Sequence, residues 1–120
     1  GFAKDAWKIL TQGEYPGYQF WFASGEDTLW ERWDDTSSHN HIMFGDPLAW
    51  AFEYIVGVVP VEPGFASVAF RPNDIEGVDH FRARVKTVRG LVEAGWERGS
   101  DGEIHFTYSV PEGVSVVAAP

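Results

Sequence analysis

At Gly57 the hydrophobic pattern of this chain changes period. Before that glycine, apolar residues recur three and four positions apart, as along one face of a helix. After it they alternate with polar residues, as along a strand with one face covered. The two spacings are incompatible with one continuous element type. The chain is therefore expected to be α+β in series, with helices over 1–57 and strands over 58–120.

In the first part, AKDAWKILTQ places Ala3, Ala6, Trp7 and Leu10 on one helical face, and Gly13 is expected to end the helix. Tyr15-Pro16-Gly17 reads as a turn. Asp46-Pro47 opens the next helix, with Asp as N-cap and Pro at the first helical position, and LAWAFEYIVG closes at Gly57. That helix is apolar almost all round, with Glu53 as its lone acid. A helix without a polar face is buried on several sides, so this half is expected to belong to a larger helical assembly or to dock on something.

In the second part, HFRARVK from His80 to Lys86 sets Phe81, Ala83 and Val85 against His80, Arg82, Arg84 and Lys86. Val92, Ala94 and Trp96 repeat the alternation, as do Ile104, Phe106, Tyr108 and Val110. Further strands are expected over Phe65–Arg71 and Val114–Ala118. Ser100-Asp101-Gly102 reads as a hairpin turn, and VVPVEPG reads as the link between the halves. Alternation with one polar face predicts antiparallel sheets stacked as a sandwich.

Charge and composition narrow the partners. With 44% hydrophobic residues the chain can build a core, and a net charge of −9 repels phosphate, so no nucleic-acid partner is expected. No apolar run approaches the ~18 residues of a membrane span, so no membrane partner is expected, and no signal peptide is visible. The absence of cysteine excludes disulfides and thiolate metal sites. It leaves the compartment open among cytoplasm, periplasm and secretion.

Chemistry concentrates in DTLWERWDDTSSHNH, residues 27–41. Glu31 has two readings there. Thr28-Leu29-Trp30-Glu31 fits a helix capping box, in which the glutamate reaches back to the Thr28 amide. Alternatively, a carboxylate among aromatic rings is partly desolvated and placed to take a proton from water. Aromatic faces beside carboxylates also suit sugars, whose C–H faces stack on indole while their hydroxyls donate to oxygen. His39-Asn40-His41 could chelate, but no third ligand stands at a recognised spacing, so neither metal nor other cofactor is expected. A histidine hydrogen-bonded to a sugar hydroxyl, or one satisfying loop backbone, fits better. Asp34 and Asp35 read as a solvated turn.

GEDTLWERWD, then SHNHIMFGDPLAWAFEYIVGV, then PVEPGFASVAFRP resembles the C-terminal portion of bacterial α-L-rhamnosidases, glycoside hydrolase family 78. The motifs are a T-x-W-E-x-W element, an S-x-N-H element with a nearby glycine, a helix ending in glycine and a P-G-F strand ending in R-P. They stand in order across essentially the whole chain. The resemblance implies that residues 1–57 are the last helices of an (α/α)6 toroid and that 58–120 form an antiparallel β-sandwich, incomplete at its far end. It implies an inverting hydrolase of terminal α-L-rhamnosides whose two carboxyl groups stand about 6.5–9.5 Å apart to admit a water. Glu31 matches the general base, His41 the histidine that contacts rhamnose, and Trp30 and Trp33 the flanking aromatics. The general acid and most sugar contacts are expected upstream, in the remainder of the parent catalytic domain. The chain alone is therefore expected to be inactive. The alternative is a carbohydrate-binding or structural sandwich module without catalysis.

Overall fold

The structure, a computed structural model, describes residues 2–120. It divides into two compact units, Gly1–Ala49 and Trp50–Pro120.

The first unit opens with helix α1, Ala3–Thr11, as its spacing predicts. A second helix, α2 (Tyr18–Ala23), follows the proline turn. Its sequence, YQFWFA, is mostly aromatic and shows no polar–apolar period, so pattern reading passes over it. Trp21 of α2 is 1% exposed and is the centre of this unit. Residues 25–41 then form neither helix nor strand, until a 3₁₀ turn at Ile42–Gly45 leads into α3 (Asp46–Trp50). Asp46 is the first residue of α3 rather than its N-cap, because the 3₁₀ turn has already brought the backbone into helical geometry.

The second unit begins at the end of α3 and continues as a π-helical turn, Ala51–Val56. Trp50 and Tyr54 stack at 5.7 Å on this turn. Gly57 closes it in the left-handed region (φ 77°), and its N–H bonds back to the Phe52 carbonyl, as expected of a glycine past a helix end. The helical segment is not buried all round: Ile55 and Val56 are fully buried, while Leu48 is exposed and so is Glu53.

Six strands follow: β1 (Val58–Pro60), β2 (Ser67–Phe70), β3 (His80–Thr87), β4 (Gly90–Arg98), β5 (Ile104–Ser109) and β6 (Ser115–Ala118). They form two three-stranded sheets, β1–β2–β6 and β3–β4–β5. β3–β4–β5 is an antiparallel meander with Arg82 opposite Gly95 and Gly95 opposite Thr107. β1 pairs antiparallel with β2, so the stretch expected to be a plain link is in part an edge strand. Its Pro60 sits at the strand end, where a missing N–H costs no ladder bond. The pairing of β2 with β6 is parallel, with a bulge between Val68 and Ala69.

Inward residues of both sheets share one core: Val58, Val68 and Phe70 from the first, Ala83, Val92 and Ala94 from the second. Burial of the apolar faces is worth about 25 cal/mol per Å², which is what holds the layers together. The π-turn is fastened to this unit by polar bonds as well. The buried Trp96 indole donates to the Ile55 carbonyl at 3.0 Å, and Asn73 donates to the carbonyls of Tyr54 and Ile55 at 2.6 and 3.2 Å. No helix among the described residues is long and apolar enough to cross a membrane.

Candidate functional site

The segment carrying Glu31 is folded by two backbone hydrogen bonds. Glu31 N–H donates to the Ser38 carbonyl at 2.8 Å, and His41 N–H donates to the Leu29 carbonyl at 2.7 Å. Leu29–Glu31 and Ser38–His41 therefore run side by side as two arms of a loop, the second arm holding one extra residue between the bonds. A single extra residue twists and re-aims such a ladder. Glu31 and His41 consequently occupy neighbouring rungs, one on each arm, and both are half-buried. No helix begins at Thr28, so the capping-box pattern has no helix to cap. Among the described residues, no hydrogen bond or ion pair engages the Glu31 carboxylate.

Beneath the arms lies an aromatic cluster. Trp30 is 5% exposed and meets Trp21 at 5.5 Å; the half-buried Trp33 meets Trp21 and Phe44 at 4.5 Å each. Tyr18 stands edge-on to Trp33 at 5.2 Å. Such pairs add about 0.5–1.5 kcal/mol each beyond area burial. Polar tips are satisfied: the Trp21 indole donates to the Trp33 carbonyl at 3.3 Å and the Tyr18 hydroxyl to the Phe44 carbonyl at 3.1 Å. Burial, followed by the negative charge of Asp46, raises the Tyr18 phenol above its ordinary range, so it stays a neutral donor.

Of the residues singled out in the sequence, Glu31, His41, Trp30 and Trp33 thus all come together in one unit. Trp30 and Trp33 do so mainly as packed rings. Asp34 is held by Arg32 at 3.5 Å and by the Thr36 hydroxyl, as a turn carboxylate. His39 is engaged by side chains rather than by loop backbone. It stacks on Trp30 at 4.2 Å and 15°, and its Nε2 lies 2.6 Å from Asp35 Oδ1. The readable signal was the i, i+4 spacing of Asp35 and His39. Among the described residues no group of three or more potential metal ligands converges.

The second unit carries a groove of about 350 Å³ on the outward face of β3–β4–β5. Gly95 forms its floor between Arg82 and Thr107, and Arg84 and Glu93 close one side through a 2.6 Å ion pair.

Each unit has known counterparts. Residues 1–55 match the bacterial alpha-L-rhamnosidase 6 hairpin glycosidase domain, and residues 57–118 match the bacterial alpha-L-rhamnosidase C-terminal domain. An alpha-L-rhamnosidase of Streptomyces avermitilis is 30% identical over 117 residues, covering 88% of this chain and 11% of that protein. The solved alpha-L-rhamnosidase of Dictyoglumus thermophilum, 34% identical, superimposes over 98% of this chain and 14% of its own with a TM-score of 0.84. The Streptomyces avermitilis enzyme, solved in complex with L-rhamnose, is 28% identical over 98% of this chain and 12% of its own, with a TM-score of 0.87. Helices before the Gly57 junction match a six-hairpin glycosidase domain, and the paired sheets after it match a rhamnosidase C-terminal domain. The chain belongs to the bacterial α-L-rhamnosidase family and corresponds to its C-terminal portion. It spans about an eighth of the length of the relatives it matches.

Proposed function

We propose that this chain carries the general base of an inverting α-L-rhamnosidase acting on terminal α-L-rhamnosides. The observation behind this reading is the Glu31 loop. A half-buried carboxylate for which no hydrogen bond or ion pair is found among the described residues stands one rung from a half-buried histidine, in the unit whose core holds Trp21 and Trp30. A carboxylate already paired with an arginine or with backbone amides would be a weaker base toward water.

In this mechanism Glu31 accepts a proton from a water lying between it and the anomeric carbon. The water oxygen then bonds to that carbon as the glycosidic bond breaks on the opposite face. The leaving oxygen takes its proton from a second carboxyl group, contributed by the rest of the parent catalytic domain. His41 hydrogen-bonds a rhamnose hydroxyl, and Trp30 and Trp33 shape the aromatic wall behind it. Inversion takes two carboxyl groups, so the 120-residue chain by itself is expected not to turn over substrate.

The test is Glu31→Gln in the full-length protein with an aryl α-L-rhamnoside. Loss of a general base lowers the rate by roughly 10²–10⁴-fold, with rhamnose binding nearly unchanged. A variant that keeps most of its turnover removes Glu31 from the mechanism.

The groove over Gly95 favours a second reading, in which the β-domain binds glycan without catalysis. Saturable binding of rhamnose to the chain that Arg82→Ala abolishes and Glu31→Gln leaves intact would support it.

A further inference from the structure

We propose that His39 is the positioning residue of this loop, the side chain that holds Glu31 and His41 on their rungs. The inference rests on the assignment of Glu31 as the base.

Among the described residues, two backbone hydrogen bonds join the arms at this point, at Glu31 and at His41. His39 lies between them on the second arm, and Trp30 lies between them on the first. Their rings stack nearly parallel, 4.2 Å apart and tilted 15°. That contact is the side-chain tie across the gap left by the extra residue. Trp30 cannot shift to follow a moving His39, because it is 5% exposed and packed on Trp21. The tie is thus anchored in the core of the unit on one side.

The imidazole has polar neighbours as well. Its Nε2 lies 2.6 Å from Asp35 Oδ1, which brings the second arm against the turn of the loop. Its Nδ1 faces Glu26 Oε2 at 4.0 Å, and that same oxygen accepts the Trp30 indole N–H at 3.3 Å. Stack, turn and preceding segment therefore all meet on one ring. Each of these exposed contacts would contribute little alone. Their convergence on a ring already stacked leaves it a single orientation, as outer partners do for the groups they orient. Glu31 is the residue directly after Trp30, and His41 stands two after His39. Freedom in the stack becomes displacement of the carboxylate and imidazole.

The experiment uses His39→Ala and His39→Phe in the full-length protein, with Glu31→Gln in parallel. Two readouts are taken: hydrogen exchange in the peptide covering 28–41, and steady-state kinetics on an aryl α-L-rhamnoside. Removing the ring should speed exchange of that peptide about tenfold or more. It should lower kcat about 10–100-fold, as misplacing a reacting group does, while KM stays within about threefold. Phenylalanine keeps the stack but loses the contacts to Asp35 and Glu26, so it should recover part of both, even if the alanine variant is poorly folded. Unchanged exchange in His39→Ala, or a loss confined to KM, overturns the proposal. If Glu31→Gln retains turnover, the base assignment has failed, and exchange alone still decides whether His39 holds the loop.

Discussion

Replacing Gly57 by alanine should damage the second unit more than any other glycine substitution at a comparable backbone angle. Gly57 closes the π-turn at φ 77°, a region that costs an L-residue about 1–2 kcal/mol. A Cβ there would also lie 2.1 Å from the Arg71 carbonyl carbon and 2.2 Å from its oxygen. Carbon atoms need about 3.5 Å, so the chain after β2 would have to retreat by about 1.4 Å. That retreat strains the Arg71 N–H bond to the Gly57 carbonyl, 2.8 Å, and the Asn73 N–H bond to the Ile55 carbonyl, 3.2 Å. Overpacking costs about 1–3 kcal/mol and each weakened bond up to about 1 kcal/mol. Gly57→Ala should therefore destabilise by about 4 kcal/mol in all. Gly77 is the control: its φ is 85°, and nothing lies within 4 Å of an added Cβ. Gly77→Ala should show the backbone strain alone, about 1–2 kcal/mol. Urea denaturation of both variants, followed by circular dichroism, gives the two values. Losses equal within about 1 kcal/mol would refute the clash argument; loss of any cooperative transition in Gly57→Ala alone would support it.

Trp96→Phe should cost about 2–3 kcal/mol in the same assay, because it removes the buried bond to the Ile55 carbonyl and leaves a gap where the indole packed; a change under about 0.5 kcal/mol would contradict that role. The acid limb of stability has an identifiable contributor in Asp74. Its hydrogen bond from Arg98, reinforced by the guanidinium charge, holds its carboxyl below the ordinary 3.8. The unfolded chain binds the proton more readily, so this contribution is present above the ordinary value and is lost as pH falls through the folded one. Urea midpoints for Asp74→Asn and wild type should therefore converge on going from about pH 6 to about pH 3, and parallel curves would exclude the pair.

Much of the fold was written in local pattern. Helix α1, the stop at Gly57 and strands β2 to β6 follow from spacing and turn residues that act over a few positions. What escaped depends on packing. α2 is mostly aromatic and buries Trp21 while Phe22 stays exposed, so its sequence shows no polar–apolar period. β1 looked like a linker because of Pro60 and Pro63, and becomes a strand only because β2 lies beside it. The π-turn answers to the stacking of Trp50 on Tyr54 and to the bonds that Trp96 and Asn73 make with its carbonyls. At the site, residue types pointed to Glu31 and His41. The capping-box pattern pointed to a helix start that is not there, because two cross-loop hydrogen bonds decide that backbone. The role of His39 was invisible for the same reason: its ring partner lies nine positions away, across the loop.

The most direct test of the account is Glu31→Ala in the full-length protein, assayed with an activated aryl α-L-rhamnoside with and without azide. Removing the carboxylate leaves no base to deprotonate water but opens room for a nucleophile that needs none. The account predicts almost no turnover in buffer, and turnover restored by azide with β-L-rhamnosyl azide, the inverted anomer, as product. Full hydrolysis by the alanine variant in buffer, or a product of retained configuration, would contradict it.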